Sequence, residues 1–254
     1  MVRVPSFEWL LARPIAHRGC HDTERNIFEN SLSAFEESVS RRYPAELDVR
    51  LLADGEVCVF HDENTNRMTG IDRQVSSLTT EELSTFRLRG TDSTIPLLST
   101  VLERIGGKVP LLIELKSSTV AGPLERNTAA LLSSYRGKAA IQSFNPHTVR
   151  WFYTHAPDIP RGQLGGRMRD TDLTALQKIL MRTLLCTVYS RPHFVTFESA
   201  VLPCIPCNLV RRRRLPLLAW TVQSDAEERR IRGLCDNIIF EGYLPHPAQG
   251  RPNP

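Results

Sequence analysis

Short apolar runs alternate along the chain with stretches in which apolar residues recur every three or four positions. The apolar runs are predicted to be β-strands, and the main ones begin near residues 14, 45, 109, 139, 160, 194, 216 and 237. One further strand, at 56–60, is expected to run back from the turn at Asp54-Gly55. Helical or long connections separate the eight main strands, and this alternation predicts a parallel sheet.

Helix signals occupy several of the connections. The segment 30–42 has apolar residues at helical spacing. Two capping boxes, each with a Ser or Thr followed three residues later by Glu, begin at Thr79 and Ser224. They predict two further helix starts, and Gly233 is expected to end the second of these helices.

The number and order of these units favour an α/β fold, a closed TIM (β/α)8 barrel. An open doubly wound sheet is the alternative, but no glycine-rich phosphate loop follows the first strand. The connection 62–109 is longer than the others, which predicts a small insertion after the second strand and its hairpin. Because no linker divides the chain, we expect a single domain spanning 1–254 with its core at about 14–245.

Composition and charge narrow the functional classes. The chain has 254 residues, is 41% hydrophobic and has a net charge of +4, a surplus too small to indicate nucleic-acid binding. No apolar run reaches the ~18 residues of a membrane span, and no apolar export segment precedes the first strand. We therefore expect a cytoplasmic protein without stable membrane insertion. The basic run 211–214 is interpreted as a solvated loop before a strand, with contact to an anionic surface or partner as the alternative.

The six cysteines do not form a recognisable metal pattern. Cys204 and Cys207 have the spacing of a zinc or redox pair, but there is no second pair to complete a structural zinc site. Reduced thiols in a reducing compartment are the simpler interpretation.

Acidic residues stand at the ends of two predicted strands. Glu46 and Asp48 are two residues apart and point to one face, and Glu114 and Lys116 repeat this relation on the next main strand. Catalytic groups of a barrel lie at these carboxyl ends. Three converging carboxylates repel one another, so either some of them are protonated or a cation neutralises them. Hard oxygen ligands favour one Mg²⁺ or Ca²⁺ over zinc. Simple ion pairs, Glu46 with Arg50 or Glu114 with Lys116, are the alternative.

Two histidines follow predicted strands near these acids. His17 and His61 are candidates for the base and the acid of phosphodiester cleavage, since histidine titrates near pH ~6.5. Arg18 and Lys116 could neutralise phosphate oxygens. The other histidines lack such neighbours and are interpreted as bystanders: His21, His147, His155, His193 and His246.

A series of short motifs resembles one known family, the glycerophosphodiester phosphodiesterases, over residues 14 to about 245. In order, the motifs are Ile15-Ala16-His17-Arg18-Gly19, Glu29-Asn30-Ser31, Glu46-Leu47-Asp48-Val49, Asp54-Gly55, Val59-Phe60-His61-Asp62, Thr69-Gly70, Ile95-Pro96-Leu97-Leu98, Ile113-Glu114-Leu115-Lys116, Gln142-Ser143-Phe144 and Ala219-Trp220-Thr221-Val222. Each motif is weak alone, but their order and spacing are highly specific.

The resemblance implies a TIM barrel that uses Mg²⁺ or Ca²⁺ to hydrolyse glycerophosphodiesters to sn-glycerol 3-phosphate and an alcohol. It implies roles for matching residues, namely His17 and His61 as the acid/base pair, Glu46, Asp48 and Glu114 as metal ligands, and Arg18 and Lys116 as phosphate contacts. Phe144 and Trp220 resemble a wall against the substrate, with packing in the barrel core as the alternative.

The chain departs from the usual family pattern at two points. Phe28 stands where many members have proline, and the last strand is followed by an altered loop that contains Glu241. We expect Glu241 to replace an aspartate as a partner for substrate hydroxyls, and Glu29 to orient His17 or Arg18.

Three functions remain open from the sequence. The first is hydrolysis of small glycerophosphodiesters, and the second is a lysophospholipase D reaction with a greasier leaving group. The third is a barrel that only binds phosphate esters, which the presence of both histidines and all three acids disfavours. The oligomeric state and the attacking nucleophile cannot be derived from these patterns.

Overall fold

A closed barrel of eight parallel strands forms the centre of the computed structural model, which describes residues 7–117, 121–167 and 174–245. The strands are β1 (Ile15–Ala16), β2 (Ala45–Leu51), β3 (Val57–Val59), β4 (Leu111–Leu115), β5 (Ala139–Ser143), β6 (Arg161–Gly165), β7 (Phe194–Glu198), β8 (Leu217–Val222) and β9 (Asn237–Phe240). Their order is β1-β9-β8-β7-β6-β5-β4-β2, and the pairing of Ala16 with Ala45 closes the ring. β3 is the extra strand and pairs antiparallel with β2. The predicted barrel and hairpin are confirmed.

Helices cover the outside of the barrel and fill the long connection. They are α1 (Trp9–Ala12), α2 (Leu32–Arg41), α3 (Asn66–Thr69), α4 (Thr80–Ser84), α5 (Leu98–Ile105), α6 (Pro123–Ser134), α7 (Pro146–His155), α8 (Ala175–Thr183), α9 (Thr187–Ser190), α10 (Ile205–Arg212) and α11 (Asp225–Ile231). Both capping boxes begin helices as expected, α4 after Thr79 and α11 after Ser224. Within the described ranges, no helix has the length and apolar character needed to cross a bilayer.

Strand alternation separates the inner and outer cores. Side chains that point into the barrel include Ile15, Leu112, Phe194 and Leu218, all of them buried. A Cβ atom on Gly162 would lie 2.2 Å from the Phe194 ring, so glycine at this position leaves room for that ring. Outward-pointing residues of β2 and β4 pack instead against helices α2 and α5.

The connection between β3 and α5 forms a small unit beside the barrel mouth. It contains α3 and α4 and has its own apolar cluster, which includes Phe60, Met68, Leu83 and Phe86. Phe28, from the loop before α2, packs into the same cluster. This unit is the insertion that the long connection predicted.

The sequence patterns did not indicate helix α10. Only a strand was predicted near residue 194, but that strand ends at Glu198 and a helix begins at Ile205. The run 211–214 is exposed, as expected, but its first two residues belong to the last turn of α10. In α10 the side chains of Cys207 and Val210 are buried, whereas those of Ile205 and Leu209 point into solvent.

Candidate active site

Strands β2 and β4 bring three buried carboxylates together at the barrel mouth. Asp48 is the direct register partner of Glu114, and Glu46 lies two residues earlier on the same face of β2. One carboxylate oxygen from each of the three residues lies within 4.8 Å of the other two. All three side chains are buried. Among the described residues, this is the one group of three potential metal ligands.

The charge balance of this acidic cluster matches a hard divalent cation. Burial, together with Asp48 and Glu114, raises the pKa of Glu46 well above its usual range. The Oε1 atom of Glu46 is buried and has no hydrogen-bond partner. An unpaired buried oxygen beside two further carboxylates is the donor set that Mg²⁺ and Ca²⁺ prefer. The three residues therefore fit one such ion.

Lys116 supplies fixed positive charge to the same cluster. Its Nζ lies 2.5 Å from an oxygen of Glu114 and 3.0 Å from Oδ1 of Asp48. Burial alone would raise the pKa of Asp48. The electrostatic attraction of Lys116, the nearby histidines and Arg18 is stronger, and the pKa of Asp48 is lowered. The ion pair between Glu114 and Lys116 is thus present within the cluster. The other alternative, an ion pair between Glu46 and Arg50, does not form. Arg50 instead donates a hydrogen bond to the carbonyl of His61 and lies near Glu63.

A tight turn after β1 places Arg18 over the carboxylates. Arg18 and Gly19 both have positive φ, at 53° and 81°. A Cβ atom on Gly19 would lie 2.9 Å from Ala34, so this turn requires glycine. The turn directs the Arg18 N–H to Glu46 Oε2 at 3.0 Å and its Nε to Asp48 Oδ2 at 3.3 Å.

Asn30 is a site residue whose role sequence reasoning missed. Its side-chain amide donates to Asp48 Oδ2 at 2.9 Å, and the Asp48 N–H donates back to Asn30 Oδ1 at 3.1 Å. Both residues are buried. The pair fixes the orientation of the Asp48 carboxylate. Asn30 lies in a turn outside any strand or helix, so periodicity gave no signal for it.

His17 is held by a carboxylate from the other end of the chain. Its Nδ1 lies 2.5 Å from Glu241 Oε2, because β9 pairs with β1 and brings the two loops together. Gln223 donates to the other oxygen of Glu241 at 2.6 Å, and His21 lies 3.6 Å from the first. Burial opposes ionisation of Glu241, but hydrogen bonds from His17 and His21 lower its pKa. Sequence reasoning had set His21 aside and had overlooked Gln223.

His61 has a matching arrangement. Its Nδ1 lies 2.7 Å from Asp62 Oδ1, and Asp62 pairs with Arg67 at 2.5 Å. Arg67 also binds Glu29, which accepts a hydrogen bond of 2.7 Å from Arg18. Glu29 therefore contacts Arg18, one of the two partners expected for it, and joins that arginine to the surroundings of His61.

The two imidazoles are held through the same ring nitrogen. In each case a carboxylate accepts a hydrogen bond from Nδ1, so this nitrogen carries the proton in both His17 and His61. The other ring nitrogen, Nε2, is left to accept or donate a proton. Both rings retain some exposure to solvent. The pair can thus exchange protons with a bound molecule from fixed positions.

Phe144 and Trp220 meet at the rim, on the loops that follow β5 and on β8. Their ring centroids are 5.5 Å apart in an edge-to-face contact, and the Trp220 indole N–H donates to Gly165 at 3.3 Å. Both side chains remain partly exposed. The contact is compatible with a substrate wall and with rim packing, so their substrate role stays a prediction.

Comparison with known proteins decides the family. The model of the glycerophosphoryl diester phosphodiesterase family matches residues 17–240, which is most of the chain. The chain belongs to this family. The matched region begins at His17 and contains both histidines and all three carboxylates.

One relative matches nearly the full length of this chain, and another matches about half of it. A glycerophosphodiester phosphodiesterase of Caldanaerobacter subterraneus subsp. tengcongensis is 34% identical over 239 residues, covering 89% of this chain and 93% of the relative. A human lysophospholipase D is 31% identical over 146 residues, covering 52% of this chain and 43% of that protein.

A solved structure of another protein has the same fold as this chain. The phosphodiesterase of Oleispira antarctica, determined with the product sn-glycerol 3-phosphate, superposes with a TM-score of 0.76 at 20% identity. The match covers 91% of this chain and 93% of the other.

Proposed function

We propose that this chain uses one divalent cation, Mg²⁺ or Ca²⁺, to hydrolyse glycerophosphodiesters to sn-glycerol 3-phosphate and an alcohol. Family membership makes the chain a phosphodiester hydrolase, and the bacterial relative with 34% identity supports the substrate class. One observation supports this mechanism most strongly. Three buried carboxylates lie at one end of the barrel between two histidines, and each histidine is hydrogen-bonded to a further carboxylate.

Positive charge is the first contribution of this site. Glu46, Asp48 and Glu114 would hold the cation, which when bound supplies positive charge that polarises the phosphoryl group. Arg18 and Lys116 add two cationic side chains beside the same carboxylates. They would bind phosphate oxygens and stabilise the negative charge that grows in the transition state.

Proton transfer is the second contribution. One imidazole of the pair His17 and His61 accepts the proton of the attacking hydroxyl, and the other protonates the departing alkoxide, each through Nε2. Glu241 and Asp62 hold the rings in place and stabilise the imidazolium form. Each histidine therefore acts as part of a fixed dyad.

A lysophospholipase D reaction is the second candidate. The human relative named for that activity supports it, and the reaction would use the same site with a lysophospholipid as the diester. The two candidates differ in product, since hydrolysis of a lysophospholipid on the alcohol side leaves a phosphate that still carries the acyl chain. The apolar part is thus in the phosphate product and not, as the sequence interpretation had it, in the leaving group. A panel with both substrate types separates them.

The test is release of product from this panel by the wild type and by two variants. We expect His17→Ala and His61→Ala each to lower kcat at least ~100-fold. His155→Ala, an exposed histidine on α7, is the matched control and should retain activity. A near-normal kcat in either site variant would remove that histidine from the proposed pair.

A further inference from the structure

Large apolar side chains are exposed mainly on one side of the barrel. Seven of the nine exposed ones among the described residues lie on or between α8, α9 and α10, and they are Leu176, Ile179, Leu185, Val188, Tyr189, Ile205 and Leu209. Helices α8 and α10 follow the neighbouring strands β6 and β7, which makes them neighbours in the outer layer. We call this surface the α8–α10 face. A concentration of this kind marks an interaction surface.

The same segment is strongly basic. Between residues 174 and 215 there are seven lysines and arginines, and Glu198 is the only acid. Its carboxylate already contacts Arg167. The α8–α10 face therefore combines exposed apolar side chains with an excess of positive charge over the two nearby carboxylates, Glu198 and Asp236.

A cluster of guanidinium groups borders this face. Arg150, Arg161 and Arg191 lie 4.7, 4.9 and 5.4 Å from the centroid of the Tyr153 ring. Within the described ranges none of the three has a carboxylate at ion-pairing distance, and the buried Nη1 of Arg161 has no hydrogen-bond partner. Arg161 is only 5% exposed. Arg161 is therefore too buried to reach a lipid phosphate, but it adds positive charge behind the half-buried Arg150 and the exposed Arg191.

Two further contacts join positive charge to the apolar residues. Arg150 also lies 5.7 Å from the ring of Tyr189, one of the exposed side chains of the face. At the end of α10, a cleft of about 550 Å³ is lined by Arg211, Arg212 and Arg214, among other residues. Cationic groups thus flank the apolar side chains at α9 and at α10.

We propose that the α8–α10 face docks on the surface of a bilayer that contains anionic phospholipids. The apolar side chains would enter the headgroup region, and the arginines would bind lipid phosphates, the combination typical of interfacial helices. A second copy of the chain fits less well, since a twofold contact would bring two basic surfaces together. The helices lie alongside the barrel, so docking leaves the mouth open.

Vesicle flotation tests this proposal with the full chain. Wild type should float with vesicles of phosphatidylcholine and phosphatidylglycerol at low salt, and much less with phosphatidylcholine alone. Two variants should each weaken binding at least about tenfold, Val188→Ser/Ile205→Ser by removing apolar contact and Arg150→Gln/Arg191→Gln by removing phosphate contacts.

Matched controls lie outside the face. Ile71→Ser/Leu244→Ser removes the two remaining exposed apolar side chains, and Arg126→Gln/Arg136→Gln removes two exposed arginines. Both controls should bind vesicles within about twofold of wild type. The apolar variant should still hydrolyse a soluble diester at the wild-type rate, which shows that it is folded and separates docking from the proposed catalysis.

Three results would overturn the proposal. The first is no binding to anionic vesicles, and the second is equal binding to neutral and anionic ones. The third is a wild-type dimer in sedimentation that Val188→Ser/Ile205→Ser dissociates, because the apolar residues would then be covered by a second copy.

Discussion

Replacing Glu46 by glutamine should stabilise the ion-free protein and remove its response to the ion. The carboxylate oxygens of the cluster lie within 4.8 Å of one another. Two unit charges about 5 Å apart repel by roughly 3 kcal/mol at an effective dielectric constant near 20, which is an upper bound for one pair. Glu46→Gln keeps the side-chain shape and deletes one charge. We therefore expect the free energy of unfolding in chelator to rise by about 1–3 kcal/mol.

The pH dependence follows from the raised pKa of Glu46. In the unfolded chain this carboxyl ionises near its ordinary pKa of 4.5, whereas in the folded protein burial and the neighbouring carboxylates raise its pKa. Above 4.5 the folded state therefore binds more protons than the unfolded state, and the wild type loses stability as the pH rises. The advantage of Glu46→Gln in chelator should widen over the same range.

An added ion should act in the opposite direction. At about 100 times its dissociation constant, an ion that binds only the folded state stabilises it by ~2.7 kcal/mol. For a chain of this length that amounts to a rise in Tm of about 5–10 °C. Thermal melts in chelator, Mg²⁺ and Ca²⁺ measure both effects. Wild type and the exposed-residue control Glu103→Gln should show the rise, and an equal rise in Glu46→Gln would refute the assignment of Glu46 as a ligand.

Three further predictions concern the turn, the dyads and the half-buried His193, which lies just before β7. Gly19→Ala should lower the free energy of unfolding by about 2–5 kcal/mol, because the strain of a left-handed backbone adds to the clash with the neighbouring helix. Gly70→Ala, which has open space around it, should lower it by only about 1–2 kcal/mol. Chemical denaturation of the two variants compares these values. Glu241→Gln and Asp62→Asn should each lower kcat about 10–100-fold with little change in KM, because an amide no longer fixes the imidazole proton at Nδ1. Steady-state kinetics on a soluble diester measures this, and an unchanged kcat would contradict it. Burial, with Arg161 nearby, lowers the pKa of His193 from 6.5 to about 4, so the folded state resists its protonation. Stability should fall as the pH drops from 6.5 towards 4, and melts of His193→Asn should show a shallower fall.

The barrel could be predicted because its strands are short apolar runs with clear breaks between them. Most strand boundaries differ from the prediction by one or two residues, as at β6, which begins at Arg161 rather than at 160. Helix α10 was missed for a physical reason. Pro203 and Pro206 favour a loop in this segment, but Pro206 lies in the first turn of the helix, where its missing N–H is not needed.

The carboxylate cluster was also within reach of the sequence. Alternation places Glu46 and Asp48 on one face, and the parallel pairing of β2 with β4 sets Asp48 beside Glu114. The groups that orient the site were not within reach, since Asn30 and Gln223 lie in irregular segments without periodicity. Such contacts exist only once the chain has folded.

Barrel closure explains the contact that differs most from expectation. Glu241 was expected to bind substrate hydroxyls, and its carboxylate instead lies against His17, 224 residues away in the chain. Only the pairing of the last strand with the first brings these residues together. A role for Glu241 in binding substrate stays a prediction.

Release of sn-glycerol 3-phosphate from glycerophosphocholine, measured before chelation, after chelation and after return of Mg²⁺ or Ca²⁺, tests the central claim most directly. If one cation at Glu46, Asp48 and Glu114 supports hydrolysis, chelation should lower the rate at least ~100-fold and either ion should restore it. Undiminished release in excess chelator would contradict the claim.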